Sequence, residues 1–264
     1  MRVGRVKRSG NPNHFSLGNQ LFQIANTFAY AKRNNITPVF PELLDEKYCG
    51  RYNDTIFRNL KKEEEDILFY QQCLNYNKIY REKRFDYDAI VNGMSDFLFD
   101  GYYQSEKYFS DFSDEIRALF SVHNNTESTI RNIVGDESYA TIHFRRGDYL
   151  NLDHIYANLA ETDYYSSAME MIEQNLIVLV SNDTEWAKTW ADKQACSKNF
   201  IVSENNEIVD LYLMSSSDTC VIANSSFSWW GAWLGKTKKT ISPKKWFLSE
   251  LTETDIICED WMTI

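Results

Sequence analysis

Apolar positions along the chain follow two patterns, a helical period and short continuous runs. In LGNQLFQIANTFAYAKRN, Leu21, Ile24, Ala25, Phe28 and Ala29 or Ala31 recur on one face, which predicts a helix over Leu17–Asn34. Residues 35–41, NITPVFP, read as a strand punctuated by prolines that closes a first strand–helix–strand unit. Residues 42–87 show no clear period, and the charged run KKEEED at 61–66 reads as an exposed helix face or loop. Residues 97–109 begin as a strand and turn at Gly101 into a polar, aromatic segment; SDFSDEIRALF then continues as a helix to Phe120. The polar stretch 121–137 marks the expected boundary between two lobes, 1–135 and 136–264.

Beyond that boundary the two patterns alternate. Strands are predicted at 138–144, 176–180, 200–202 and 221–223, and helices at 162–174, 183–192, Glu207–Ser215 and 227–234. Strands and helices alternating at this spacing predict an α/β fold with a parallel, doubly wound sheet. A length of 264 residues suffices for two modest domains, each with its own core.

Composition narrows the function classes. A net charge of −10 with only short basic clusters, at 2–8 and 236–245, excludes the basic face that a nucleic-acid partner requires. The first cluster reads as a solvated terminus, and no apolar core follows MRVGRVKRSGN to make it a signal peptide. No stretch reaches the roughly 18 consecutive apolar residues of a membrane span, so a soluble chain is expected. The five cysteines, Cys49, Cys73, Cys196, Cys220 and Cys258, are scattered without a CxxC pair. They suggest neither a disulfide frame nor a zinc site, and a reducing cytoplasm fits. Without GxSxG, and with His14, His123, His143 and His154 in neither metal nor triad spacing, a serine-nucleophile mechanism fails. Asp86-Tyr87-Asp88 has the DxD form with which many sugar-nucleotide enzymes hold a divalent metal, but it lies in a polar, lysine-rich stretch with no buried strand before it. It is set aside, and no metal or cofactor is expected.

The chemistry-bearing stretch is ATIHFRRGDYL, residues 140–150. Arg145 and Arg146 fall at or just past the carboxyl end of the 138–144 strand, where open α/β sheets bind ligands. A guanidinium matches phosphate oxygens bidentately and stays charged at any working pH, which suits a diphosphate that must be held and then stabilised as a leaving group. Gly147 permits a sharp turn and Asp148 can brace one arginine; the competing reading is an ordinary salt bridge at a strand end. Two further turns carry the same ambiguity. Asn224, Ser225 and Ser226 join a buried strand to a helix, as phosphate ligands or as a plain N-cap. Gly18, Asn19 and Gln20 open the first helix, at an anion-binding terminus or a simple glycine turn. Trp229, Trp230 and Trp233 read as packing residues.

Taken together, LGNQLFQIA at 17–25, GYYQSEKYF at 101–109, HFRRGDY at 143–149, SNDTEWAK at 181–188, and DLYLMS with IANSSFSWWGAWL between 210 and 234 resemble the α-1,2-fucosyltransferases of glycosyltransferase family 11, in family order. The resemblance implies two Rossmann-like lobes of GT-B type with mainly parallel sheets, the donor GDP-fucose bound mainly in the second lobe and a galactose-containing glycan as acceptor. It gives Arg145 the donor phosphates, His143 and Asp210 the guanine base, and Ser225 and Ser226 a phosphate contact. The implied reaction is an inverting displacement at the anomeric carbon of fucose. For the acceptor hydroxyl, Asp148 and Glu106 are the candidate bases, and acceptor-binding residues are unassigned.

Overall fold

The computed structural model describes residues 1–6, 16–45, 49–121, 124–152, 154–235, 237–248 and 255–264, without the side chains of residues 124, 148 and 150. The chain divides into two compact units, Met1–Ser121 with Glu253–Cys258, and Val122–Thr252 with Glu259–Ile264.

The first unit holds a four-stranded, all-parallel sheet of β1 (Arg2–Arg5), β2 (Thr37–Pro38), β3 (Ile79–Arg81) and β4 (Phe97–Asp100), in the order β2-β1-β4-β3. Its main helix, α1 (Leu17–Asn34), buries Leu17, Leu21, Phe22, Ile24, Ala25 and Ala29 and stops at Asn35, whose left-handed backbone (φ 52°) returns its N–H to the last turn. The expected solvated terminus is instead the inner strand β1, a correction with a clear physical reason. Val3 is fully buried, Gly4 leaves space for the closely packed side chains of Leu98 and Val39, and the Arg5 charge is neutralised in the interior by Glu42. Residues 7 and 8 of that basic cluster lie outside the described residues. The strand expected at 35–41 shrinks to the two residues of β2, an edge strand on which Pro38 is tolerated because its missing N–H is not needed for pairing with β1, and Pro41 starts a short 3-10 turn. α2 (Glu65–Asn75) and α3 (Ser113–Leu119) complete this unit.

The second unit is a six-stranded, all-parallel sheet of β5 (Tyr139–Phe144), β6 (Leu176–Ser181), β7 (Asn199–Val202), β8 (Thr219–Val221), β9 (Lys239–Ser242) and β10 (Met262–Thr263), ordered β10-β9-β8-β5-β6-β7. Every residue of β5 and β6 is buried, which explains the apolar run of β6 and the apolar and β-branched content of β5. Among the described residues, five helices accompany the sheet: α4 (Asn124–Val134), α5 (Tyr164–Glu170), α6 (Thr184–Asp192), α7 (Glu207–Ser215) and α8 (Ser226–Leu234). α4 occupies the polar stretch read as a lobe boundary, its one apolar side carried by Ile130 and Val134. α7 packs on α8, where Gly231 admits Met214 at a distance that leaves no space for a Cβ. Trp229, Trp230, Trp233 and Trp261 pack together, Trp229 stacked on Trp233 and the other pairs edge-to-face or tilted, the first three buried. Fully burying one such large apolar side chain stabilises the fold by about 1.5–3 kcal/mol. Among the described residues, no helix is long and apolar enough to cross a membrane.

The order of the second sheet locates a site. From β5 the chain builds outward through β6 and β7 on one side, then returns to β8 and builds through β9 on the other. The gap between the carboxyl ends of β5 and β8 is therefore the topological switch point, the crevice in which open parallel sheets bind ligands.

Candidate active site

Two turns flank this switch point. β5 ends at Phe144 and runs into Arg145 and Arg146; β8 ends at Val221 and runs through Ile222 and Ala223 into Asn224, Ser225 and Ser226. Pairing of β5 with β8, Ala140 opposite Thr219 and Ile142 opposite Val221, aligns the two turns at one sheet edge.

Arg145 is half-buried, with its guanidinium 4.9 Å from the centroid of the Tyr149 ring, which in turn stacks on Tyr156 at 4.2 Å. Arg146 is held differently. Its guanidinium pairs with Asp183 at 3.2 Å and lies 4.3 Å over Trp186, and its backbone N–H donates to Oδ1 of Asn182 at 3.0 Å. Gly147 follows at φ 52°, where a Cβ would fall 2.3 Å from Nδ2 of Asn182. Asn182 and Asp183 stand at the end of the neighbouring strand β6, so β6 clamps both residues that follow Arg145. The arginine brace expected from Asp148 concerns a side chain outside the described residues; the brace described on Arg146 is Asp183.

His143, the next-to-last residue of β5, is 3% exposed, 5.6 Å from the Phe227 ring, and its Nδ1 has no hydrogen-bond partner. Burial, aided by the Arg145 charge, lowers its pKa to about 3, so the imidazole is neutral at ordinary pH. Its carbonyl accepts from the Tyr165 hydroxyl at 2.9 Å, while the Tyr164 hydroxyl donates to the carbonyls of Ile222 and Ile241. Two adjacent tyrosines thus tie down the ends of β5, β8 and β9.

In the serine turn, Asn224 is 2% exposed and its amide donates to the carbonyls of Ala157 and Trp246, a structural use. Ser225 stands at the N-cap position of α8 but makes no side-chain capping bond. The plain-cap reading of this serine therefore lacks its hydrogen bond. Ser228 closes the turn instead, its hydroxyl shared with the backbone of Ala223 and Ser225.

Asp210 lies in the first turn of α7, which follows β7 and is capped by Asn206. It is 8% exposed, accepts a short hydrogen bond from Ser203, and burial raises its carboxyl to about 6 against the pull of that hydroxyl. Gly18, Asn19 and Gln20 belong to the first unit, where they open α1. Asn19 accepts from the amide of Gln104 at 2.8 Å, and Gln20 is fully buried beside the Cys49 thiol. Glu106 starts a one-turn 3-10 helix of the same unit. Asp86 and Asp88 pair with Arg84 and Lys83 at 3.4 and 3.9 Å, and among the described residues no group of three acidic, histidine or cysteine side chains is placed to hold a metal ion.

Sequence reasoning missed Asn182, Asp183 and Trp186 as supports of the arginine turn, although they stand in the SNDTEWAK stretch; nothing in that stretch says that β6 lies beside β5. It also missed Ser203, seven residues from Asp210.

The chain matches Glycosyl transferase family 11 over residues 11–264. It is 31% identical to an alpha-1,2-colitosyltransferase of Escherichia coli, over 94% of this chain and 96% of that one. It is 24% identical to a galactoside 2-alpha-L-fucosyltransferase of Caenorhabditis elegans, over 91% and 71%. Among solved structures, the α-1,6-fucosyltransferase NodZ soaked with GDP-fucose superposes with a TM-score of 0.51 at 12% identity, covering 89% of this chain and 92% of that one. This likeness shows the GT-B type of fold. With a family match over nearly its whole length, the chain is a glycosyltransferase and belongs to family 11.

Proposed function

We propose that the protein transfers L-fucose from GDP-β-L-fucose to the 2-hydroxyl of a galactoside, with inversion, giving an α-1,2 linkage. The observation that carries this reading is the Arg145 guanidinium leaving the end of β5 at the switch point, opposite the serine turn that follows β8. The α-1,2 transferases among its relatives and the GDP-fucose of the NodZ structure support the donor and the linkage.

In this reading the acceptor oxygen attacks the anomeric carbon on the face opposite the diphosphate. The bond from that carbon to the phosphate oxygen breaks with both electrons passing to GDP, and the acceptor hydroxyl gives up its proton. Negative charge grows on the diphosphate as the bond breaks, and Arg145 answers it with a fixed positive charge that needs no reorganisation. Ser225 and Ser226, with the N–H groups that open α8, bind phosphate oxygens. The Asp210 carboxylate accepts the N1 and N2 donors of guanine, and neutral His143 lies against the base. Arg146 and Asn224 support the donor turns rather than the bond-breaking step. No metal takes part, because the arginine supplies the charge that a cation supplies in other transferases. Asp148 and Glu106 are the groups to test as proton acceptor.

A second reading has one specific support, the 31% identity to a colitosyltransferase. Colitose is L-fucose without its 3-hydroxyl, so the two donors differ by one hydrogen-bonding group. Turnover of GDP-fucose and GDP-colitose in parallel, with linkage analysis of the product, decides between them. Higher kcat/KM for GDP-fucose and an α-1,2 product on galactose support the first reading; preference for GDP-colitose replaces it.

A further inference from the structure

The first unit has its own switch point, between β1 and β4, and beside it the segments leaving the carboxyl ends of β3 and β4 form a built surface. Glu82, just past β3, accepts the backbone N–H groups of Tyr102 and Tyr103 at 2.7 and 2.8 Å, just past β4. This approach requires Gly101, where a Cβ would meet that of Glu82 at 2.4 Å. Tyr103 is held at φ 54° with its ring 1% exposed and its hydroxyl on the carbonyl of Tyr80 at 3.2 Å. A bulky side chain in the left-handed region is costly and persists where surrounding structure enforces it, commonly at functional sites. Here it buries Tyr103 and leaves its neighbours Tyr102 and Gln104 half-exposed.

What that loop presents is an aromatic platform. The Phe85 ring, 46% exposed, lies nearly parallel to that of Tyr102, at 15° and 6.4 Å between centroids. The charges beside it are internally matched, Arg84 with Asp86 and Lys83 with Asp88, so the patch suits a neutral ligand. Two residues on from Tyr102, Gln104 donates to Asn19 at 2.8 Å, which fixes two amides beside the loop. Flat apolar rings with a few fixed amides are the chemistry of pyranose recognition: C–H groups stack on the ring face and hydroxyls bond to the amides.

We propose that Phe85 and Tyr102, with the Asn19–Gln104 amide pair, form the subsite for the acceptor sugar, and that its ligand is a galactopyranoside. The axial 4-hydroxyl of galactose leaves the hydrogens of C3, C4 and C5 together on one face, which is the apolar face such a platform accepts. Glu82 is a positioning residue that holds the loop. This inference rests on the transferase reading above.

The test is saturation-transfer NMR of the full chain with methyl β-galactopyranoside, alongside acceptor and donor KM values. In the wild type, saturation should reach H3, H4 and H5 of the sugar. Phe85→Ala should remove that pattern and raise the acceptor KM by about tenfold. Phe85→Tyr should retain both, and the donor KM and the melting temperature should stay at wild-type values. Glu82→Gln should raise the acceptor KM without moving GDP affinity. Absence of saturation transfer in the wild type, or an unchanged pattern and acceptor KM in Phe85→Ala, overturns the proposal. GDP binding, measured separately, reports on the transferase reading, so failure of one is distinguishable from failure of the other.

Discussion

The backbone N–H of Arg146 donates to the side-chain oxygen of Asn182 at 3.0 Å, tying the turn after β5 to the end of β6. With Gly147 pressed against the amide nitrogen of the same asparagine, the peptide units after Arg145 have one permitted path. Asn182→Ala removes this clamp without touching a charge. It should lower kcat/KM by about a hundredfold, the cost of a small misplacement of a catalytic group, with the melting temperature nearly unchanged. Steady-state kinetics with thermal melting checks it; wild-type turnover means that the turn holds itself.

Of the two buried groups assigned to the guanine, Asp210 titrates in the working pH range and His143 does not. Burial raises the Asp210 carboxyl to about 6, above its ordinary value near 4, so the folded free protein holds a proton that the unfolded chain has lost. That contribution to stability is present below about pH 4 and is lost as pH rises through about 6. GDP affinity runs the other way, because only the ionised carboxylate accepts both guanine donors, and it should weaken as pH falls through about 6. His143, lowered to about 3, stays neutral across this range and supplies no such limb. Calorimetry across pH should show the limb in the wild type, and Asp210→Asn should weaken GDP binding and abolish it. A limb that persists in Asp210→Asn assigns it elsewhere.

Much of the fold is legible in the chain where a strong period meets a good stop. Leu17–Asn34 and Glu207–Ser215 are found to the residue, since an amphipathic run ends at Asn35 in the first and starts at the capping Asn206 in the second. β1 is not legible: RVGR has no apolar run, and the Glu42 that makes Arg5 acceptable inside lies 37 residues away in sequence. β8 is observed at Thr219–Val221, two residues before its expected start; Ile222 and Ala223, equally buried, extend the apolar run past the strand. In the site, Arg145 and the serine turn are readable because each follows a buried strand. The clamp by Asn182 and Asp183 depends on which strand lies beside β5, and sheet order is set by packing rather than by any local pattern.

The interior pair of Arg5 and Glu42, both nearly inaccessible, is shared with Gln23 and the Cys49 thiol. Breaking it from one side leaves a buried charge without its counter-ion. Arg5→Met should cost about 3–5 kcal/mol. Melting should fall by on the order of 10 °C. Adding Glu42→Leu should recover most of the loss, since a well-packed apolar pair replaces a buried ion pair at little cost. A single variant that melts like the wild type would show that water reaches the pair.

Activity should persist in EDTA and gain nothing from added Mn²⁺ or Mg²⁺, because a guanidinium rather than a cation meets the diphosphate. Initial rates in chelated buffer check this. Loss of activity in EDTA that Mn²⁺ restores contradicts it.

The central claim is that Arg145 stabilises the departing diphosphate, and the direct measurement is kcat/KM of Arg145→Ala and Arg145→Lys beside their melting curves. Arg145→Ala should lose on the order of 10³-fold or more while melting as the wild type does, since its charge matters most in the transition state. Arg145→Lys should recover little, because an ammonium lacks the planar two-point contact with phosphate oxygens. An Arg145→Ala protein that melts normally and transfers sugar at near wild-type rate would contradict the account and move the role to Arg146.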